Sequence, residues 1–170
     1  MAELTAQERL QPCLLDRLTD EAPAVNQESR ERRVVNLRQL RHAVLRDLVW
    51  LLNSSAHLDP DDAAEFPEIA KSVLNYGIRD LCGMTASHVD PADVERMLQE
   101  AIKRFEPRVL PRTLKVVAVA APGSSPCAVS FEIRGDLWAQ PTPEPLFLRT
   151  DVDLDTGHCA LRGGEERPVG

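Results

Sequence analysis

The chain has 170 residues, a length that suits one domain with some additional tail, because domains cluster near about 100 to 150 residues. Hydrophobic residues make up 43%, charged residues 28% and aromatics 4%, so a globular core must rest mainly on aliphatic packing. A net charge of −7 argues against attraction of the whole protein to nucleic-acid phosphate. The longest apolar runs, Leu48 to Leu52 and Val116 to Ala121, fall far below the roughly 20 residues of a membrane span. Residues 1 to 20 carry Glu3, Glu8, Asp16 and Asp20 without the basic start and apolar centre of a secretory signal, so a cytoplasmic protein is expected.

Residues 1–35 read as an N-terminal extension. It holds a short helix over Pro12 to Leu18, where Cys13, Leu14, Leu15 and Leu18 share a face, followed by a polar connector from Thr19 to Arg33. Asn36 can cap a helix over 37–53. Leu37, Leu40, Val44, Leu48 and Leu51 repeat there at the spacing of one helical face, widened by Leu45, Val49, Trp50 and Leu52. A polar loop to Asp62 and a shorter helix from Phe66 to about Leu74, stopped at Asn75-Tyr76-Gly77, come next. Asp90-Pro91 starts a helix over 91–105, with Val94, Met97, Leu98, Ala101, Ile102 and Phe105 on one side, and Pro107 ends it.

From Thr113 the pattern turns to strands. Leu114, Val116, Val117 and Val119 form the first, and 122–126 is a turn or loop. Residues 127–138 alternate Val129, Phe131, Ile133 and Leu137 against Ser130, Glu132, Arg134 and Asp136, with a bulge or bend expected at Gly135. After Pro141, Pro143 and Pro145, residues 146–154 form the third strand. Helices followed by consecutive strands predict an α+β domain over 36–157, with helices packed on a three-stranded antiparallel sheet and a disordered tail over 158–170.

Cys13, Cys82, Cys127 and Cys159 are scattered without a CxxC pair and read as free thiols. His158 beside Cys159 has no companion pair, so no metal and no cofactor is expected. Phe105-Glu106-Pro107-Arg108 closes one half and opens the other. Glu106 and Arg108 either pair or cap within the fold, or present a charged contact to a partner. Arg30, Arg32, Arg33, Arg38, Arg41 and Arg46 form a basic stretch, read as a solvated helix face or a patch for a protein partner. Trp50 is the only aromatic near it, so nucleic acid is not expected. Trp50 and Trp138 read as core or edge residues, and strand 146–154 is the candidate docking edge for a strand from another chain.

Several blocks together resemble the TssE family of type VI secretion baseplate components, within the lysozyme-like family of phage baseplate wedge proteins. They are Arg9-Leu10-Gln11-Pro12 with Leu14 to Leu18, Leu45 to Asn53, Ser72 to Ile78, Ile102 to Arg108, Phe131 to Trp138 and Leu148 to Asp153. The chain departs from the pattern at Arg79, where proline is usual. The resemblance implies a structural subunit that joins TssF, TssG and TssK in a baseplate wedge and supports the first layer of a sheath built from TssB and TssC. It also implies that Glu106, Pro107 and Arg108 make a contact needed for assembly.

The lysozyme-like label suggests the alternative of a muramidase, with Glu106 as acid and Glu132 or Asp136 as its partner. Glycoside hydrolysis needs one carboxyl kept protonated in an apolar setting. Arg108, two residues away, favours the charged form instead, so no catalytic residue is expected. A further expectation is that Arg108→Ala leaves folding nearly unchanged.

Overall fold

The computed structural model describes residues 13–19, 37–58, 60–83, 89–119, 128–139 and 142–163. Among the described residues ten elements follow one another. They are α1 (Leu14–Leu18), α2 (Leu37–Leu52), α3 (Pro60–Glu65), α4 (Pro67–Lys71), a 3-10 turn (Val73–Asn75), α5 (Pro91–Phe105), and strands β1 (Lys115–Val119), β2 (Ala128–Leu137), β3 (Glu144–Asp153) and β4 (Cys159–Gly163). The expected connector, the cap at Asn36, the loop over 122–126, the arginines at 30, 32 and 33, and Cys127 lie outside the described residues. Among the described residues, no helix is long and apolar enough to cross a membrane.

The two long helices form where the periodicity places them. In α2, Leu40, Val44, Leu48 and Leu51 are buried, together with Ala43 and Leu52. In α5 the carboxylate of Asp90 accepts a hydrogen bond from the Ala92 amide at 2.9 Å, capping the helix, and Val94, Leu98, Ala101 and Ile102 are buried. The segment between them differs from expectation. Its loop already turns helical at Pro60, and Phe66 separates two short helices, since Pro67 restricts the residue before it. Gly77 is required where this segment returns to the body. Its φ is +127°, and a Cβ there would sit 2.2 Å from the Ser54 carbonyl oxygen.

The fold is α+β, and its sheet has four antiparallel strands in the order β1-β2-β3-β4, one more than the residue pattern shows. The added strand occupies residues 159–163 of the expected disordered tail. A hairpin builds it: Gly157 adopts φ +72°, and its amide donates to the Asp153 carbonyl at 2.8 Å. The Asp153 carboxylate accepts from the amides of Asp155 and Thr156. Residues 164–170 lie outside the described residues.

Pairing β4 onto β3 also corrects the candidate docking edge. Strand β3 is hydrogen-bonded on both sides, to β2 and β4, so it is interior; the edges are β1 and β4. Both edges meet a helix side chain. On α5, Glu95 accepts from the Ala118 amide at 2.6 Å. At the end of α2, the Asn53 amide group donates to the Cys159 carbonyl at 2.9 Å and accepts from the Cys159 amide at 3.0 Å, acting as a substitute peptide.

No bulge occurs at Gly135: the β2 register runs unbroken through Gly135 opposite Leu146. A side chain there would meet its neighbours at ordinary contact distances. A Cβ there would come 3.4 Å from Val109 and 3.5 Å from the Leu114 backbone. The core lies between α2, α5 and the inner sheet face, with Phe131, Ile133, Leu137, Leu148 and Val152 meeting Leu48, Leu98 and Ile102. Thr150 also points inward, fully buried, and its hydroxyl has no hydrogen-bond partner among the described residues.

Candidate functional site

Glu106 ends α5, and its amide still donates to the Ile102 carbonyl at 2.9 Å. Pro107 lacks an amide proton and cannot continue the ladder, so the chain folds into a turn in which the Val109 amide reaches the Glu106 carbonyl at 3.2 Å. The end of β2 clamps this turn. The Leu110 amide donates to the Asp136 carbonyl, the Trp138 amide donates to the Arg108 carbonyl, and Val109 bridges Leu137. The motif is therefore held on rigid backbone at both ends.

The turn draws the Glu106 side chain inward, leaving the residue only 3% exposed. One edge of the Arg108 guanidinium meets it as a fork, with Nε donating to Oε1 at 2.7 Å and Nη2 to Oε2 at 2.5 Å. The Arg108 backbone amide adds a third bond to Oε1 at 3.1 Å. Nη2 also donates to Asp47 of α2 at 2.5 Å. The pairing continues through Arg46, whose Nε donates to the other Asp47 oxygen at 2.8 Å and whose Nη1 donates to Asp16 of α1 at 2.7 Å. Arg46 Nη2 lies 2.7 Å from that same Asp47 oxygen but out of line for a hydrogen bond, so it is a charge contact. The guanidinium carbon of Arg46 stands 5.1 Å from the centre of the Trp50 ring. Five side chains thus alternate in sign: Asp16, Arg46, Asp47, Arg108, Glu106.

Burial disfavours the Arg108 cation, but the hydrogen bonds and charges of Glu106 and Asp47 outweigh it and push its pKa above the ordinary arginine value. Arg46 behaves alike toward Asp16 and Asp47. Partial burial pushes the Asp16 carboxyl up, yet the Cys13 thiol and Arg46 together hold it below the usual range. Tyr76, packed edge-on to Phe105 at 5.2 Å between ring centres, is raised by burial and then by the charges of Asp47 and Glu106.

Above the ladder lies an open cavity of about 470 Å³. Leu15, Trp50, Tyr76, Phe105 and Pro107 give it apolar walls, and Asp47, Glu106 and Arg108 lie along its charged side. Pro107 is exposed. Arg108 Nη1 has no partner among the described residues and is not buried.

The structure therefore brings Glu106, Pro107 and Arg108 together as an ion-paired turn in which, among the described residues, Nη1 of Arg108 is left without a partner. It corrects the expectation that Arg108→Ala would leave folding nearly unchanged, because that change would strand the buried Glu106 carboxylate. Asp47 is a site residue that the motif alone did not disclose. Its signal was positional: with Val44, Leu48 and Leu51 it falls on the inward stripe of α2, where an acid needs a partner.

Both oxygens of Glu106 are engaged by Arg108, which donates three hydrogen bonds to them. Glu132 projects from the opposite sheet face and pairs with Arg134. Asp47 and Glu106 share one cavity but are both held by Arg108, and neither Glu132 nor Asp136 lines it. Among the described residues no group of three or more histidine, cysteine, aspartate or glutamate side chains could hold a metal ion. Of the remaining arginines, Arg41 pairs with Glu144 at 2.5 Å, and Trp50 and Trp138 are half-exposed rather than core residues.

A profile of the family described as baseplate wedge protein gp25 matches residues 38–142, from α2 to the loop after β2. No curated protein and no solved structure matches the chain.

Proposed function

We propose, because the chain belongs to the baseplate wedge protein gp25 family, that it is the wedge subunit of a type VI secretion baseplate and works through protein contacts in the cytoplasm. Its structural role in a phage-tail-like baseplate follows from the family. The finer reading joins it to TssF, TssG and TssK and has it support the first sheath layer of TssB and TssC.

The observation that carries this reading is the clamped turn over 106–109. Glu106 and Asp47 fix the Arg108 guanidinium, while exposed Pro107 and the free Nη1 border an apolar cavity. A preorganised arginine costs little ordering on binding, and a partner carboxylate or carbonyl fits its remaining donors.

The test is co-purification with co-expressed TssF and TssG. Arg108→Lys keeps a cation beside Glu106 and Asp47 but loses the fork and Nη1. Circular dichroism should show it folded, while capture of TssF and TssG is lost. A folded variant that captures both at the wild-type level would refute the contact. Turnover of purified peptidoglycan, abolished in Glu106→Gln, would instead establish the muramidase reading.

A further inference from the structure

The helix α1 is a poor match for the place it occupies. Five residues are too few to be helical in water without support, since isolated helices shorter than about 12 to 15 residues are marginal. Yet α1 turns two of its three leucines away from the body: Leu14 and Leu18 are 69% and 74% exposed. Among the described residues, its only hydrogen bond or ion pair to the body runs from Asp16 to Arg46, at 2.7 Å. Cys13, whose thiol donates to Asp16 at 2.9 Å, and Leu15 line the cavity beside Trp50, Tyr76, Pro107 and Arg108. In the chain, α1 and α2 are separated by residues 19–36.

We propose that α1 is a latch, closed over the cavity at Glu106, Pro107 and Arg108 by the Asp16 to Arg46 ion pair, and that it opens to admit the partner segment. This rests on the reading of that turn as a partner contact. The partner would bring a carboxylate or carbonyl for Arg108 Nη1 and an apolar side chain for the walls. The latch is built for opening. Its ion pair is partly exposed, with side chains 28% and 23% accessible, a setting in which such pairs are weak and screened by salt. The bond broken is also the outermost of the ladder, so Arg46 keeps Asp47, and Arg108 stays fixed on Glu106 and Asp47 after α1 has gone.

Alkylation of the full chain by iodoacetamide reads the latch through Cys13, with exposed Cys82 and buried Cys159 as internal references. In dilute buffer Cys13 should label more slowly than Cys82. Arg46→Gln should raise the Cys13 rate by about 1.5-fold to fivefold, the scale of losing one partly exposed ion pair. Raising salt to 0.5 M should quicken Cys13 in the wild type but not in Arg46→Gln. The variant should also capture co-expressed TssF and TssG at lower concentration.

A Cys13 rate equal to that of Cys82 in the wild type overturns the proposal, because α1 is then not closed. A slow rate unmoved by Arg46→Gln or by salt overturns it as well, because α1 is then fixed by packing. Faster labelling with unchanged capture shows that α1 does not gate the cavity, and this too overturns it. Failure of the partner reading itself looks different: folded Arg108→Lys then captures TssF and TssG normally.

Discussion

Replacing Arg108 by alanine isolates the energetics of the ion-paired turn. The change removes the fork on Glu106, a residue 3% exposed, and one of the two arginines on Asp47, which keeps Arg46. The stranded charge is thus that of Glu106. Deleting one partner of a fully buried pair costs about 3 to 5 kcal/mol. The Arg108 and Asp47 side chains are about one fifth exposed, so solvent screening brings the expected loss to about 2 to 3 kcal/mol. With a urea m-value of about 1 to 3 kcal/mol/M, the unfolding midpoint should fall by roughly 0.7 to 3 M at pH 7 with the slope unchanged. A double variant, Glu106→Leu with Arg108→Met, removes both charges and should be the more stable of the two by at least about 1 kcal/mol, because no ion is left unpaired. Circular dichroism and tryptophan fluorescence followed in parallel would measure both. A loss below about 0.5 kcal/mol for Arg108→Ala, or a double variant no better than the single one, would refute the account of a buried carboxylate held by its arginine.

Three further outcomes are expected. Thr150→Val should stabilise the protein by about 1 kcal/mol in the same urea assay, because the Thr150 hydroxyl is fully buried without a partner among the described residues. Asn53→Ala should cost about 1 to 3 kcal/mol through loss of the paired bonds to Cys159, with amide hydrogen exchange in β4 rising ahead of that in β2. Burial raises the Cys159 thiol from 9.0 to about 11. The folded state therefore holds that proton where the unfolded chain releases it, and the stability so contributed is present below pH 9 and lost as pH rises through about 11. Cys159→Ala should lack this alkaline component of the urea profile.

How much of this was legible in the residues depended on the distance over which each feature is encoded. Helices α2 and α5 and strands β1 to β3 announce themselves by local periodicity, and Asp90-Pro91 marks its own helix start. Strand β4 does not: Cys-Ala-Leu-Arg-Gly holds a single large aliphatic residue, and its pairing is set by the turn at Gly157 and by Asn53, 106 positions earlier in the chain. Missing it moved the sheet edge by one strand and made the interior β3 look free. The Glu-Pro-Arg turn was readable as a helix stop with a charged pair. Its partners were not, because Asp47 and Arg46 reach it only once α2 lies beside the end of α5.

The tie between Asn53 and Cys159 also bears on where this domain can be cut. The family match stops at residue 142, in the gap between β2 and β3. A fragment ending there would lose the partner strand of β2 along its whole length, leave the side-chain amide of Asn53 facing solvent, and open the inner sheet face above Phe131 and Ile133. The smallest autonomous piece must therefore run at least from α2 to the end of β4. Its two most distant segments in the chain are next-door neighbours in space, so cleavage between β2 and β3 should release the strain of no single loop but dismantle the sheet as a whole.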